Sequence, residues 1–179
     1  MRRASYVLWA GLLVGACSTE SARTEGAKAK PEAKKEQGVG YDLRTLRPRN
    51  EEKLVDMFER VRTQALSEGK QVAVLFSAGW CEPCQRLELE LGNMHPASEI
   101  EHVRILELKE EDWAAVTRMN EFNDLRRRWY PALNSYPVFI ILDEQGNKVE
   151  EMRDAIERLK GGGMAEPSVA DWFASLKRP

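Results

Sequence analysis

The clearest hydrophobic pattern in the sequence is a short apolar run, Val72–Phe76, that leads into a helical pattern. The run is rich in branched and aromatic residues, which is typical of a buried strand. Good helix formers follow from Gln85, with Leu87 and Leu91 four residues apart on one face, and the helix is predicted to end near Gly92. The pattern therefore predicts a strand that passes almost directly into a helix.

Similar patterns predict the elements on either side of this unit. Apolar residues at helical spacing predict a helix that begins with Asn50 as its N-cap and stops at Gly69. Alternation predicts a second strand over residues 101–108, and residues 111–130 are predicted to be helical, in one or two pieces. The arginine run 126–128 is interpreted as a solvated helix face, because three residues are too few for a nucleic-acid patch.

The C-terminal part of the chain predicts a hairpin followed by helix. An apolar run over residues 138–142 and a turn at 143–147 indicate two paired strands. Residues 149–160 fit either a strand throughout or a strand followed by a short helix. Ser168 is predicted to cap a last helix whose apolar residues share one face.

Length and composition are those of a soluble globular protein. The chain has 179 residues, of which 31% are charged and 42% hydrophobic, so one domain is expected. The formal net charge of -2 gives no reason to expect nucleic acid or an anionic surface as a partner.

The N-terminus predicts an exported, lipid-anchored protein. Arg2 and Arg3 precede an apolar run over residues 6–16, which suits a signal sequence and is too short to span a bilayer. The run ends in Val-Gly-Ala before Cys17, and this resembles a bacterial lipoprotein signal cut before a cysteine that becomes lipidated. The alternative is an ordinary secretory signal that leaves Cys17 as a chance thiol. We therefore expect attachment to a bacterial membrane, facing the periplasm or the cell exterior.

Three segments follow from this interpretation. Residues 1–16 are the predicted signal peptide, and residues 17–48 are the predicted lipidated cysteine and flexible tether. The tether is expected because its composition cannot bury enough apolar surface to offset the entropy cost of ordering. Residues 49–179 are the predicted folded domain.

Candidate chemistry lies where the first strand ends and the next helix begins. Cys81 and Cys84 form a Cys-x-x-Cys pair there, and Pro83 is tolerated because a first-turn proline forfeits no helical hydrogen bond. A helix N-terminus stabilises a thiolate over a thiol. We expect Cys81 to be the exposed nucleophile and Cys84 to be the buried resolving thiol.

Three other interpretations of the pair are weighed against redox chemistry. A zinc site needs two more ligands, and the only histidines, His95 and His102, lie outside the usual spacing, so no metal is expected. Haem attachment needs a histidine after the second cysteine, where this chain has Gln85. A structural disulfide remains as the third alternative.

The segment Trp80–Cys84, between strand and helix, resembles the active-site segment of the thioredoxin family. The dipeptide Glu82-Pro83 is similar to that of membrane-anchored, extracytoplasmic thioredoxins of cytochrome-c maturation. A second segment, Tyr136-Pro137 ahead of the predicted hairpin, is similar to the family's cis-proline segment, with Pro137 at the matching position. The alternative for Pro137 is a trans proline that opens an edge strand.

The resemblance implies a fold and a set of roles. The fold is α/β, a three-layer sandwich with a central mixed sheet of about four strands flanked by helices, and a helical insertion before the cis-proline. Trp80, Tyr136 and Pro137 would bind a substrate strand, and Glu82 and Pro83 would support the pair.

The implied reaction is thiol–disulfide exchange through a redox-active Cys81–Cys84 disulfide, with no metal or organic cofactor. The implied partners are protein disulfide or dithiol substrates, an envelope electron donor and, through lipid on Cys17, a membrane. The alternative of another class is a redox-inert binding or scaffold module on the same fold. One departure from the family favours it: the buried carboxylate that many thioredoxins carry six positions before the first cysteine is here Leu75, so no base for Cys84 is evident.

Overall fold

The structure, a computed structural model, describes residues 38–132 and 135–176. The predicted signal peptide, Cys17 and residues 18–37 of the predicted tether lie outside the described residues. The strands are β1 (Gly38–Val39), β2 (Asp42–Thr45), β3 (Gln71–Ser77), β4 (His95–Pro96), β5 (Val103–Lys109), β6 (Val138–Leu142) and β7 (Lys148–Glu151). The helices are α1 (Leu54–Ser67), α2 (Glu82–Leu91), α3 (Ala97–Ile100), α4 (Glu110–Ala114), α5 (Met119–Arg127), α6 (Met152–Gly161) and α7 (Val169–Ser175).

A five-stranded mixed sheet in the order β2-β5-β3-β6-β7 forms the middle of the fold. The strand β3 is parallel to β5 and antiparallel to β6, and β2 adds to β5 in parallel. Strands β6 and β7 form the predicted hairpin. A separate two-stranded sheet pairs β1 with β4.

Both faces of the central strand are covered, which explains its nearly continuous apolar sequence. Val74 and Phe76 of β3 pack in one core cluster with residues of α1, α4 and α5. Ala73 and Leu75 point to the other face and pack in a second cluster with residues of α2, α3, α6 and α7. The two helical layers around one sheet confirm the thioredoxin-like α/β sandwich expected from the resemblance.

The folded part begins earlier than the sequence pattern predicts. Strand β2 lies inside the range 17–48 that composition assigns to a tether, and it brings the sheet to five strands rather than about four. Composition misses β2 because the strand is short and charged. Tertiary contacts hold it: the Arg104 guanidinium donates to Asp42 at 2.9 Å, and Leu46 just beyond the strand is buried.

The predicted N-cap of α1 is wrong. Asn50 lies in a turn with a φ of 44°, and the N-cap residue is Lys53, whose side chain makes no capping hydrogen bond. The Leu54 N–H instead donates to Glu121 Oε2 of α5 at 2.8 Å. A side chain distant in sequence therefore supplies the cap, which a local pattern does not reveal.

The remaining elements agree more closely with the sequence. Helices α4 and α5 form the helical insertion between β5 and β6, in two pieces. Residues 149–160 resolve as the end of β7 followed by α6. Ser168 caps α7 in a capping box with Asp171, as predicted. No helix within residues 38–132 and 135–176 is long and apolar enough to cross a membrane.

Candidate redox site

The cysteine pair lies at the N-terminus of α2, just beyond the end of β3. Cys81 is the N-cap residue, and its sulfur accepts a hydrogen bond from the Cys84 backbone N–H, with an N···S distance of 3.3 Å. Pro83 occupies the first turn, where its missing N–H costs no helical bond. The sulfur of Cys81 therefore occupies the position at which a helix terminus best stabilises negative charge.

The two cysteines form a closed disulfide, with a Cα–Cα distance of 5.3 Å. Cys84 is 2% exposed, as expected for the resolving thiol, but Cys81 is only 5% exposed and not the open nucleophile that the sequence predicted. The reason is packing: the two sulfurs are bonded to each other within a small buried cluster that contains Ala78, and Tyr136 packs against that cluster. In the oxidised protein, access to the pair is therefore narrow.

Trp80 precedes Cys81 in the chain, and Tyr136 packs against the cluster that contains the disulfide. The Trp80 side chain is 75% exposed, and its ring meets that of Tyr136 edge-on, with 5.8 Å between the centroids. The Tyr136–Pro137 peptide bond is cis, as expected from the resemblance. The structure thus brings the rings of Trp80 and Tyr136 together beside the pair, and Pro137 follows Tyr136 in the chain.

Tyr136 links the pair to ionisable groups that no motif in the sequence marks. Burial raises the pKa of its phenol, and the negative charge of Glu110 raises it further, while Arg126 acts in the opposite direction. The phenol is therefore neutral at physiological pH. Glu110 Oε2 is buried without a hydrogen-bond partner in the described part of the chain.

Arg126 corrects the prediction of a solvated arginine face. Its side chain is buried, and it donates to the Tyr130 carbonyl oxygen at 2.7 Å. Arg127 and Arg128 are partnered at the surface, by Asp124 and Glu59 respectively. One member of the run therefore belongs to the interior behind the redox site.

Glu82 and Leu75, the two positions expected to influence ionisation of the cysteines, lie in different surroundings. Glu82 is largely exposed and pairs with Arg86 at 3.1 Å, one helical turn away. Leu75 is buried in an apolar cluster, and its partner in register on β5 is the buried carboxylate of Glu107. Strand β2 pairs with β5 on the edge away from β3, and Thr45 of β2 donates to Glu107 at 2.7 Å. The Glu107 carboxylate is therefore already hydrogen-bonded.

The loop before Cys81 is held from two directions. Glu111 Oε2 accepts the Gly79 N–H at 3.1 Å, and Gln85 Nε2 donates to the Gly79 carbonyl oxygen at 2.8 Å. Sequence reasoning used Gln85 only to exclude haem attachment and did not single out Glu111. The contact of Glu111 spans 32 positions and has no local signal.

The histidines take no part in the site. His95 lies in β4, and the His102 ring makes a 3.0 Å hydrogen bond with the Phe173 carbonyl oxygen. Among the described residues, no cluster of three or more histidine, cysteine or acidic side chains could hold a metal ion.

Residues 58–157 match the family model of the thioredoxin-like domain, which covers more than half of the chain. The chain belongs to the thioredoxin-like family. The sequence comparison with curated proteins finds no match.

Solved structures of low identity are similar to this chain. A disulphide isomerase from Xylella fastidiosa Temecula1 is 17% identical, over 72% of this chain and 95% of its own, with a TM-score of 0.48. Thioredoxin NaTrxh from Nicotiana alata is 18% identical, over 70% and 96%, with a TM-score of 0.43. The C-terminal domain of Neisseria meningitidis DsbD, in its oxidised form, is 17% identical, over 60% and 94%, with a TM-score of 0.42.

Proposed function

We propose that this protein is a thiol–disulfide oxidoreductase of the bacterial cell envelope that reduces or exchanges protein disulfides through Cys81 and Cys84. The observation that carries the proposal is the bond from the Cys84 N–H to the Cys81 sulfur at the N-terminus of α2. The same arrangement would stabilise the thiolate that attacks a disulfide.

The proposed reaction has two exchange steps. The Cys81 thiolate attacks one sulfur of a substrate disulfide, forming a mixed disulfide and releasing the other substrate sulfur as a thiolate. Cys84 then loses its proton and attacks the Cys81 sulfur, which closes the Cys81–Cys84 disulfide and releases the second substrate thiolate. Two electrons pass from the protein dithiol to the substrate. A dithiol donor in the envelope must reduce the pair again, becoming a disulfide itself.

The surroundings of the pair favour a protein as the substrate. Exposed Trp80 and the ring of Tyr136 present an aromatic surface beside the disulfide. The resemblance to the family implies that the backbone before Pro137 pairs with an extended segment of the substrate, which is a form of strand addition. A partner bound there would place its disulfide next to Cys81.

The envelope location belongs to the same proposal and rests on the sequence. The charged start, the apolar run over residues 6–16 and the lipobox-like approach to Cys17 support export and lipid attachment. The envelope tends to be oxidising, so a reductase there depends on the donor named above.

Trapping of mixed disulfides tests the activity. Cys84→Ser leaves the attacking thiolate and removes the internal escape from the mixed disulfide, so protein partners should accumulate as adducts that reductant releases. Cys81→Ser is the matched control, one atom different and in the same turn, and should trap far less. If Cys84→Ser forms no adducts in its own envelope while Cys81 still reacts with small alkylators, the proposal fails.

A redox-inert scaffold is the second candidate. It is favoured by the low exposure of both cysteines and by the apolar side chain at Leu75. A redox titration separates the two candidates, because a purely structural disulfide has a potential below about −300 mV and turns over no substrate.

A further inference from the structure

The loop between β3 and α2 is attached to two helices through a single residue, Gly79. Its N–H donates to Glu111 Oε2 of α4 at 3.1 Å, and its carbonyl accepts from Gln85 Nε2 of α2 at 2.8 Å. Both polar groups of Gly79 are therefore satisfied by side chains rather than by the sheet. Cys81 follows two residues later, so its position depends on this attachment.

The carboxylate of Glu111 lies directly against the backbone. A Cβ atom added at Gly79 would stand 3.1 Å from Glu111 Oε1, which is tighter than most real contacts of a Cβ. Glycine at this position lets the carboxylate approach closely. Trp80, the exposed aromatic residue of the site, is the next residue in the chain after the one that Glu111 holds.

Glu111 also brings a negative charge near the nucleophile. Consecutive Cα atoms are about 3.8 Å apart, so a carboxylate bound to the Gly79 N–H lies within roughly 10 Å of Cys81. The ionisable groups on the elements around the pair include Glu82, Arg86 and Glu88 of α2, Glu107 and Lys109 of β5, Glu110 of α4, Arg126 of α5 and Tyr136. Glu107 is buried, and Lys109 lies 3.8 Å from it.

The cations in this set offset Glu111 only in part. Arg86 pairs with Glu82 at 3.1 Å, and Lys109 bonds Glu88 at 2.6 Å. Arg126 is directed to the Tyr130 carbonyl. Lys109 divides its charge among Glu88, Glu107 and Glu111, so it offsets Glu111 only in part, and a net negative charge from Glu111 acts on the Cys81 thiolate.

We propose that Glu111 is a positioning residue of the redox pair that fixes the Gly79–Trp80 loop and biases the pair towards donating electrons. The proposal rests on the proposed function. In the reductive direction the dithiol gives up two electrons and two protons and becomes the disulfide, while the substrate disulfide becomes two thiols. The Cys81 thiolate that Glu111 repels disappears in that step, so the repulsion favours it.

The charge is tested by the rate at which iodoacetamide alkylates Cys81 as a function of pH, in the Cys84→Ser background. Glu111→Gln keeps an oxygen acceptor for Gly79 and removes the charge. The pKa of Cys81 should fall, and alkylation at pH 6 should accelerate on the order of threefold. Asp112→Asn is the matched control, because Asp112 is the next residue of α4 and its carboxylate faces Arg47 at 3.2 Å. It should shift the profile much less.

The contact is tested by hydrogen exchange of the Gly79 amide, followed by NMR. Glu111→Ala removes the acceptor and should speed exchange several-fold, whereas Glu111→Gln should restore protection close to that of the parent protein. The alkylation rate of Cys81 responds to the charge of residue 111, and the exchange rate of the Gly79 amide responds to its oxygen acceptor. A residue that only fills space would not produce this difference between Glu111→Gln and Glu111→Ala.

The results that overturn the proposal are specific. It fails if Glu111→Gln leaves the alkylation profile unchanged, if Asp112→Asn shifts it equally, or if Glu111→Ala leaves exchange at Gly79 unchanged. None of these measurements needs a protein substrate. If Cys84→Ser traps partners normally and any of these three results is found, only the role of Glu111 is overturned. If Cys84→Ser traps nothing but the alkylation and exchange rates change as expected, only the oxidoreductase activity is overturned.

Discussion

Replacing Arg104 tests whether β2 is part of the fold, because this side chain connects three elements. Its guanidinium on β5 donates to Asp42 of β2 at 2.9 Å and to Glu68, just after α1, at 2.7 Å. The Arg104 side chain is 5% exposed and that of Asp42 is 13% exposed. Arg104→Met keeps much of the apolar stem and removes the charge, so the loss reports on the ion pairs more than on packing.

The expected loss in the free energy of unfolding depends on which charged groups lose a partner. Removing one member of a buried pair costs about 3–5 kcal/mol because the other charge is left uncompensated. Asp42 keeps Lys70 at 2.6 Å, so its charge is not left uncompensated, and we expect a cost below that range, about 2–3 kcal/mol, for Arg104→Met. For a domain of this size, that is a fall in Tm of roughly 8–12 °C.

Arg44→Met is the matched control, because Arg44 bonds the same carboxylate. Its Nε donates to Asp42 at 3.0 Å, but its side chain is 59% exposed, so the loss should be at most about 0.5 kcal/mol. Both variants are measured by urea and thermal unfolding at pH 7. Equal losses in the two variants, or a loss below about 0.5 kcal/mol for Arg104→Met, would refute the reasoning that β2 is held through a buried ion pair.

Three further outcomes are expected. Burial would raise the pKa of Asp42, but hydrogen bonds from Lys70 and Arg104 outweigh it and lower that pKa. The stability this contributes should be complete above the ordinary carboxyl range near pH 4 and disappear as the pH falls through the lowered pKa, as acid titration of unfolding would show. Ser168→Ala should cost about 1 kcal/mol in urea unfolding through the lost capping box, and a value near zero would contradict that role. Mass spectrometry of the exported protein should find a lipid-modified N-terminus at Cys17, and an unmodified N-terminus beyond it would exclude the anchor.

The features that the sequence predicted correctly are those determined by residues that are adjacent in the sequence. The β3–α2 junction combines an apolar run, two cysteines and a first-turn proline, and each of these acts locally. The hairpin of β6 and β7 and the cap at Ser168 have the same property. Pro137 was identified through its resemblance to a family segment rather than through physical reasoning on its own residues.

The features that were missed depend on contacts between distant residues. Strand β2 is charged and short, and its place in the sheet is set by β5 and Arg104. The cap of α1 comes from Glu121, and the burial of Arg126 comes from the packing of α5. Periodicity and composition describe only neighbours in sequence, so they assign such residues to tethers, caps or solvated faces.

The redox site combines two opposing electrostatic influences, and their balance decides its chemistry. The α2 N-terminus and the Cys84 N–H stabilise negative charge on the Cys81 sulfur, which speeds attack on a disulfide. Glu111 lies across the loop and opposes the same charge, while the apolar side chain of Leu75 offers no acceptor for the Cys84 proton. The helix terminus stabilises the reduced pair and Glu111 destabilises it, so the loss of Glu111 should shift the pair towards accepting electrons. The sequence motif alone does not contain this distinction, because it depends on a carboxylate 32 positions away from Gly79.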